Sequence, residues 1–145
     1  MNKKNQKGFS LIEALIATAI SGIAFVGVFG LTGYSANSIN SATKQQSLQE
    51  IANQIVEVIE TDKANILNYN MSFATCVAPT QGQTAEYHQN RYKWCRMLNN
   101  LVGNPKAGDV RNISVVSGVN QVTLHITLQA TGGYPEVVLK KIYDN

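Results

Sequence analysis

From Phe9 to Leu31 the chain runs for 23 residues with a single charged side chain, Glu13. At ~1.5 Å rise per residue, a helix of this length is long enough to cross a hydrocarbon core. Lys3, Lys4 and Lys7 precede the run. Positive charge stays on the cytoplasmic side, so the N-terminus is expected inside and everything after Tyr34 outside. The carboxylate is the anomaly, because an ionised acid near the middle of a bilayer costs roughly 2.5 to 3.5 kcal/mol even on the lenient insertion scale. Either the run is not a spanning helix, or Glu13 has a task. A secretory signal peptide is the competing reading, with Ala17-Thr18-Ala19 as an A-x-A-like cleavage site. Against it, Glu13 would fall inside the apolar region, and Ile20, Ile23, Phe25, Val26, Val28 and Phe29 carry the run past that site.

A basic leader, then Gly8, Phe9 and Ser10-Leu11-Ile12-Glu13, then a long apolar helix resembles the type IV pilin and type II secretion pseudopilin family. The resemblance joins a cleavage motif, a placed acid and a span of suitable length over roughly the first 30 residues; beyond them it concerns layout only. It implies that prepilin peptidase cuts between Gly8 and Phe9, that Phe9 becomes an N-methylated N-terminus, and that Glu13 pairs with the amine of a neighbouring subunit during assembly. That role accounts for the acid. Removing the leader leaves a cationic amine at Phe9, and burying it beside the carboxylate of another subunit satisfies two charges that would each be costly alone. The plainer account is a carboxylate snorkelling to the inner interface, about a turn from the helix start.

The formal charge of +3 belongs to the leader, since without Lys3, Lys4 and Lys7 the basic and acidic side chains are equal in number. The sequence pI of about 8.9 is therefore no argument for nucleic acid. The length of 145 residues suits one domain, and the 44% apolar content includes the membrane segment, which leaves a modest core for the rest.

Gly22, Gly27, Gly30 and Gly33 recur through and just past the span. Two compatible readings stand: a helix that can loosen there, each glycine costing about 1 kcal/mol relative to alanine, and close helix packing. Residues 34 to 46 are polar and small but lack proline and glycine, which predicts a continuing exposed helix. Leu48, Ile51, Ala52, Ile55, Val58 and Ile59 then form an i, i+3, i+4, i+7 stripe. One helix from Phe9 to about Glu60 is expected, roughly 78 Å long. Its first half suits a membrane or filament core and its second half suits packing on a sheet.

Cys76 and Cys95 lie in the outward-facing part, where the compartment permits a disulfide. Such a bond contributes on the order of 3 kcal/mol. Two cysteines without a histidine pair at ligand spacing do not point to a metal. The stretch from Glu86 to Arg96 is the densest mixture of aromatic and basic residues in the chain. Tyr87, Arg91, Tyr92, Lys93, Trp94 and Arg96 form a candidate ligand-binding loop, able to stack on single-stranded nucleic acid or grip a sugar or a partner protein. Three charges make a weak electrostatic footprint for nucleic acid. The alternative is a loop whose rings cover the sheet edge, and it is the preferred one.

The C-terminal third reads as strands over residues 113 to 117, 121 to 129 and 137 to 143, joined by turns at Gly118-Val119-Asn120 and Thr131-Gly132-Gly133. The register of the last is ambiguous, because Val137, Leu139 and Tyr143 face opposite to Val138 and Ile142. His125 falls on the polar face. No catalytic triad motif, phosphate-binding glycine loop or paired carboxylates emerge, so an enzyme is not expected, and no cofactor is called for.

These readings give an α+β chain in which a long N-terminal helix packs on a small antiparallel sheet of about three strands. The expected divisions are a leader (1–8), a membrane or filament-core helix (9–33), the amphipathic half of the same helix (34–62), a helix-to-sheet loop region holding the disulfide (63–112) and a β-meander (113–145). In the resembled family a prominent disulfide loop often lies toward the C-terminus, whereas here the cysteines precede the strands. That departure favours a minor pilin of a type IV pilus. The alternatives are a type II secretion pseudopilin, or a minor pilin binding DNA or a surface through the Cys76–Cys95 loop. The resemblance implies other pilin subunits, prepilin peptidase and an inner-membrane assembly platform as partners. It also implies a single-pass inner-membrane precursor that ends in an extracellular pilus or a periplasmic pseudopilus.

Overall fold

Helix α1 spans Leu11–Thr61. Its length follows from the sequence: no proline interrupts it, and the small polar residues between its two apolar stretches include no glycine. The computed structural model describes residues 10–144, and contacts divide the chain into two units, Met1–Ile39 and Asn40–Asn145.

In the first unit every described residue is exposed. Leu11, Ile16, Ile23, Phe25 and Phe29 are each more than half exposed. The most apolar 18-residue window of α1 has a mean hydropathy of 2.2, which suffices for a membrane span by length and composition. The helix runs unbroken through Gly22, Gly27, Gly30 and Gly33, and a Cβ added at any of them would meet nothing within 4 Å. Thr18, Ser21 and Thr32 turn their hydroxyls back to carbonyls three or four residues earlier, so these polar groups are satisfied within the helix.

The second unit is built on the other part of α1. Leu48, Ile51, Ala52, Ile55, Val56 and Ile59 are buried there. This is the predicted stripe, except that Val56 is buried where the spacing pointed to Val58, which is half-buried. The sheet has four antiparallel strands in the order β1-β2-β3-β4: Met71–Ser72, Arg111–Ser117, Gln121–Gln129 and Glu136–Asp144. The three expected strands are present, β3 with the expected bounds and β2 and β4 slightly longer. The fourth, β1, adds two residues paired with β2 at Met71–Ile113 and Ser72–Asn112. The ambiguous register is resolved: Val137, Leu139 and Tyr143 sit opposite Leu128, Ile126 and Val122 on the inner face, while Val138 and Ile142 are exposed. Alternation along β3 buries Val122, Leu124, Ile126 and Leu128, and leaves His125 half-buried on the outer face between Ser114 and Lys140.

The 63–112 region corrects the expectation of a loop. It contains a 3-10 helix, Lys63–Tyr69, and a second α-helix, α2, Glu86–Val102. Trp94, Cys95, Leu98 and Val102 of α2 are buried with the α1 stripe and the inner sheet face in one core, which Tyr69 and Phe73 complete. Each such side chain fully withdrawn from water contributes about 1.5 to 3 kcal/mol. Asp62 anchors the 3-10 segment, accepting hydrogen bonds from Asn65 Nδ2 at 2.8 Å and Tyr69 OH at 2.9 Å.

Helix α2 stops at Gly103, whose φ of +83° suits glycine. A Cβ there would come within 2.6 Å of Thr131 Oγ1. Beside it lies Arg111, the buried charged residue of the core. Its Nε donates to the Gln129 carbonyl at 2.6 Å and Nη1 to the Gly103 carbonyl at 2.8 Å, with Asn99 Oδ1 at 3.3 Å. Burial lowers the Arg111 pKa, opposed by the nearby Asp109 charge. The guanidinium thus ties the end of α2 to the sheet, the use for which its rigid fork of donors is suited.

Candidate functional site

Two regions carry the residues to which the sequence assigns roles. In the first, Gly8 and Phe9 lie outside the described residues. Glu13 stands in the first turn of α1, exposed, with its backbone N–H donating to the Ser10 carbonyl at 3.0 Å. A carboxylate at this end of a helix is favoured by the unsatisfied N–H groups and the dipole. Among the described residues it forms no ion pair. Around it the helix surface is apolar: Leu11 is 81% exposed and Ile12 66%, so a covering bilayer or bundle of helices would enclose the acid as well.

The second region is the disulfide. Cys76 and Cys95 are bonded, with their Cα atoms 5.5 Å apart. Cys95 belongs to the buried face of α2, while Cys76 belongs to the segment between β1 and α2. The bond therefore clamps that segment to the helix. Asn99 Nδ2 adds a contact to Cys76 Sγ at 3.2 Å.

The aromatic and basic residues expected on one loop instead share a helix, and the helical period separates them. Trp94 is 2% exposed and packs on Tyr69 with ring centroids 5.7 Å apart. Tyr87, half-buried, meets the same Tyr69 edge-on at 6.2 Å. These two rings are core and not a stacking platform. Lys93 is exposed, as is Arg96, which lies over the Tyr92 ring at 6.0 Å. Arg91 and Tyr92 turn to an open cavity of about 300 Å³ between α2 and the Cys76 segment. Ser72, Thr75, Gln83 and His88 also line it, and sequence reasoning did not group them with it. His88 alone carried a signal, being three residues before Arg91 and hence on the same helix face. The others are small polar residues of a connecting segment, which no spacing rule picks out.

Comparison with known proteins bears on the first region. Residues 3–29 match the family model described as the prokaryotic N-terminal methylation motif. The match falls on the residues that carry the resemblance to type IV pilins and pseudopilins, and it agrees with that resemblance. No curated protein and no solved structure matches the chain.

Proposed function

We propose that this protein, bearing the methylation motif of type IV pilins and pseudopilins, is a minor pilin, a structural and non-catalytic subunit of a type IV pilus. The carrying observation is the motif at residues 3–29 on a helix whose described apolar residues, from Leu11 to Leu31, are all exposed. Such a surface is not stable in water and calls for a bilayer before assembly and for neighbouring helices after it. The motif and the apolar helix fit a single-pass inner-membrane precursor. They imply assembly with other pilin subunits and processing by prepilin peptidase.

Cleavage after Gly8 would place a cationic amine at Phe9, four residues before Glu13. Within a bundle of apolar helices, the acid of one subunit and the amine of the next neutralise each other, and each charge penalises any register that leaves it alone. The pair would thereby select the axial step between subunits. The open space beside Gly22, Gly27, Gly30 and Gly33 suits close approach of a neighbouring helix.

The position of Cys76 and Cys95 before the strands β2 to β4 supports a minor over a major subunit. Mass spectrometry of the protein isolated from its native cells tests the reading. The expected mass is that of a chain beginning at Phe9 with one added methyl group, recovered with sheared surface filaments. An intact leader overturns the proposal, and a processed chain found only in a periplasmic filament moves it to a secretion pseudopilus.

A further inference from the structure

The cavity beside the disulfide has a one-sided chemistry. No Asp or Glu lines it, whereas Arg91 and His88 do. Arg91 is held on its inner side: Nε donates to Met71 Sδ at 3.3 Å and Nη1 to the Asn68 carbonyl at 3.5 Å. Among the described residues it has no ion pair, and Nη2 has no hydrogen bond. A half-buried, permanently charged group with an uncommitted donor pair is matched by an anion, and the planar fork matches a carboxylate best.

The walls are formed before any ligand arrives. The Cys76–Cys95 bond fixes one side against α2, and Gln83, which also lines the cavity, is held by the Thr80 N–H donating to its Oε1 at 3.1 Å. Pre-formed walls lower the ordering cost of binding. A volume of about 300 Å³ lies at the small end of ligand sites, which span ~300 to 1,000 Å³. It admits one ring and not a nucleic-acid strand, and the burial of Trp94 removes the stacking surface a strand would need. Ser72 and Thr75, which carry hydroxyls, Gln83, which carries an amide, and Tyr92 line the same cavity as Arg91. These are partners for the hydroxyl groups and apolar face of a sugar.

We propose that this cavity binds a carboxylated sugar unit, with its carboxylate on Arg91 and its hydroxyls met by Ser72, Thr75 and Gln83. The site does not depend on the chain being a filament subunit. Calorimetric titration of the full-length protein in detergent micelles tests it with four probes: galacturonate, galactose, inorganic phosphate and acetyl-dialanine. Galacturonate is expected to bind at least about tenfold more tightly than each of the others, as the charge-assisted fork and the sugar hydroxyls are needed together. Arg91→Gln should weaken galacturonate by at least about tenfold, and Lys93→Gln, at an exposed position outside the cavity, should leave it within about twofold. Failure of galacturonate to bind, equal binding of galactose, tighter binding of phosphate or acetyl-dialanine, or an Arg91→Gln protein that binds as well as the parent each overturns the proposal. If Arg91→Gln loses its thermal transition, Gln83→Ala decides instead: a severalfold weakening supports the site and unchanged affinity overturns it.

Discussion

The two stretches of α1 obey the same helical geometry and have opposite fates. From Leu11 to Ile39 no residue is buried, although most of the large side chains are apolar. From Leu48 to Ile59 six are buried, although Gln, Asn and Glu alternate with them. The difference is in pattern and not in apolar content. An apolar surface on all sides has no single face to offer a sheet and suits a surrounding of lipid or like helices, whereas a stripe beside polar residues suits one partner only. The acids of the two stretches differ in the same way: Glu60, just past the stripe, pairs with Lys141 of β4, while Glu13 forms no ion pair among the described residues.

Glu13→Ala should separate the two settings most sharply. If Glu13 pairs with the amine of the next subunit as proposed, its loss would leave that amine buried alone, at a cost of about 3 kcal/mol or more per subunit, and incorporation into filaments should fall below detection in immunoblots of sheared material. The thermal transition of the folded unit should not move. The converse change is in the core. Leu98→Ala should lower stability by about 2 to 5 kcal/mol in denaturant titration, whereas Leu15→Ala should leave the same titration within about 0.5 kcal/mol. A comparable loss from Leu15→Ala would mean that the first unit is part of the same cooperative core.

Reducing the Cys76–Cys95 bond should destabilise the second unit by about 3 kcal/mol, read as a lower denaturation midpoint in reductant. Gly103→Ala should cost about 1 to 3 kcal/mol, since the new Cβ meets Thr131 Oγ1 and the backbone is in the left-handed region. The smallest effect concerns Tyr69, whose pKa burial and then the hydrogen bond to Asp62 push up to about 12. A raised pKa means that the folded state holds the proton more tightly. The associated stability is complete below the ordinary tyrosine value near 10 and is lost as pH rises through about 12. Tyr69→Phe should abolish that part of the alkaline loss while lowering stability at neutral pH by about 1 kcal/mol; an unchanged alkaline profile would contradict the assignment.

Much of this fold was legible in advance, for reasons visible in particular residues. The 3.6 period of Leu48 to Ile59 and the alternation of Val122, Leu124, Ile126 and Leu128 each match one element only. Helix α2 falls where the sequence predicts a loop, because its stripe is disguised. Tyr87, Arg91, Trp94, Cys95, Leu98 and Val102 are at helical spacing, but the first two look like surface chemistry, and Ala85 at the N-cap makes no side-chain hydrogen bond. Strand β1 is two residues long, too short for a period to register, and owes its place to pairing with β2.

The sequence by itself determined the apolar N-terminal span, the placed acid, the methylation motif and the periodic faces of α1 and β3. These are properties of neighbours along the chain, which fixed covalent spacing places together on a helix or strand. Only the tertiary structure decided that Trp94 is core while Arg91 and Tyr92 line a cavity. It also decided which way β4 faces, and it brought Ser72, Thr75 and Gln83 to Arg91. Those outcomes depend on which residues distant along the chain fill the space beside each side chain. A helical period can name the face, but packing alone supplies the neighbour.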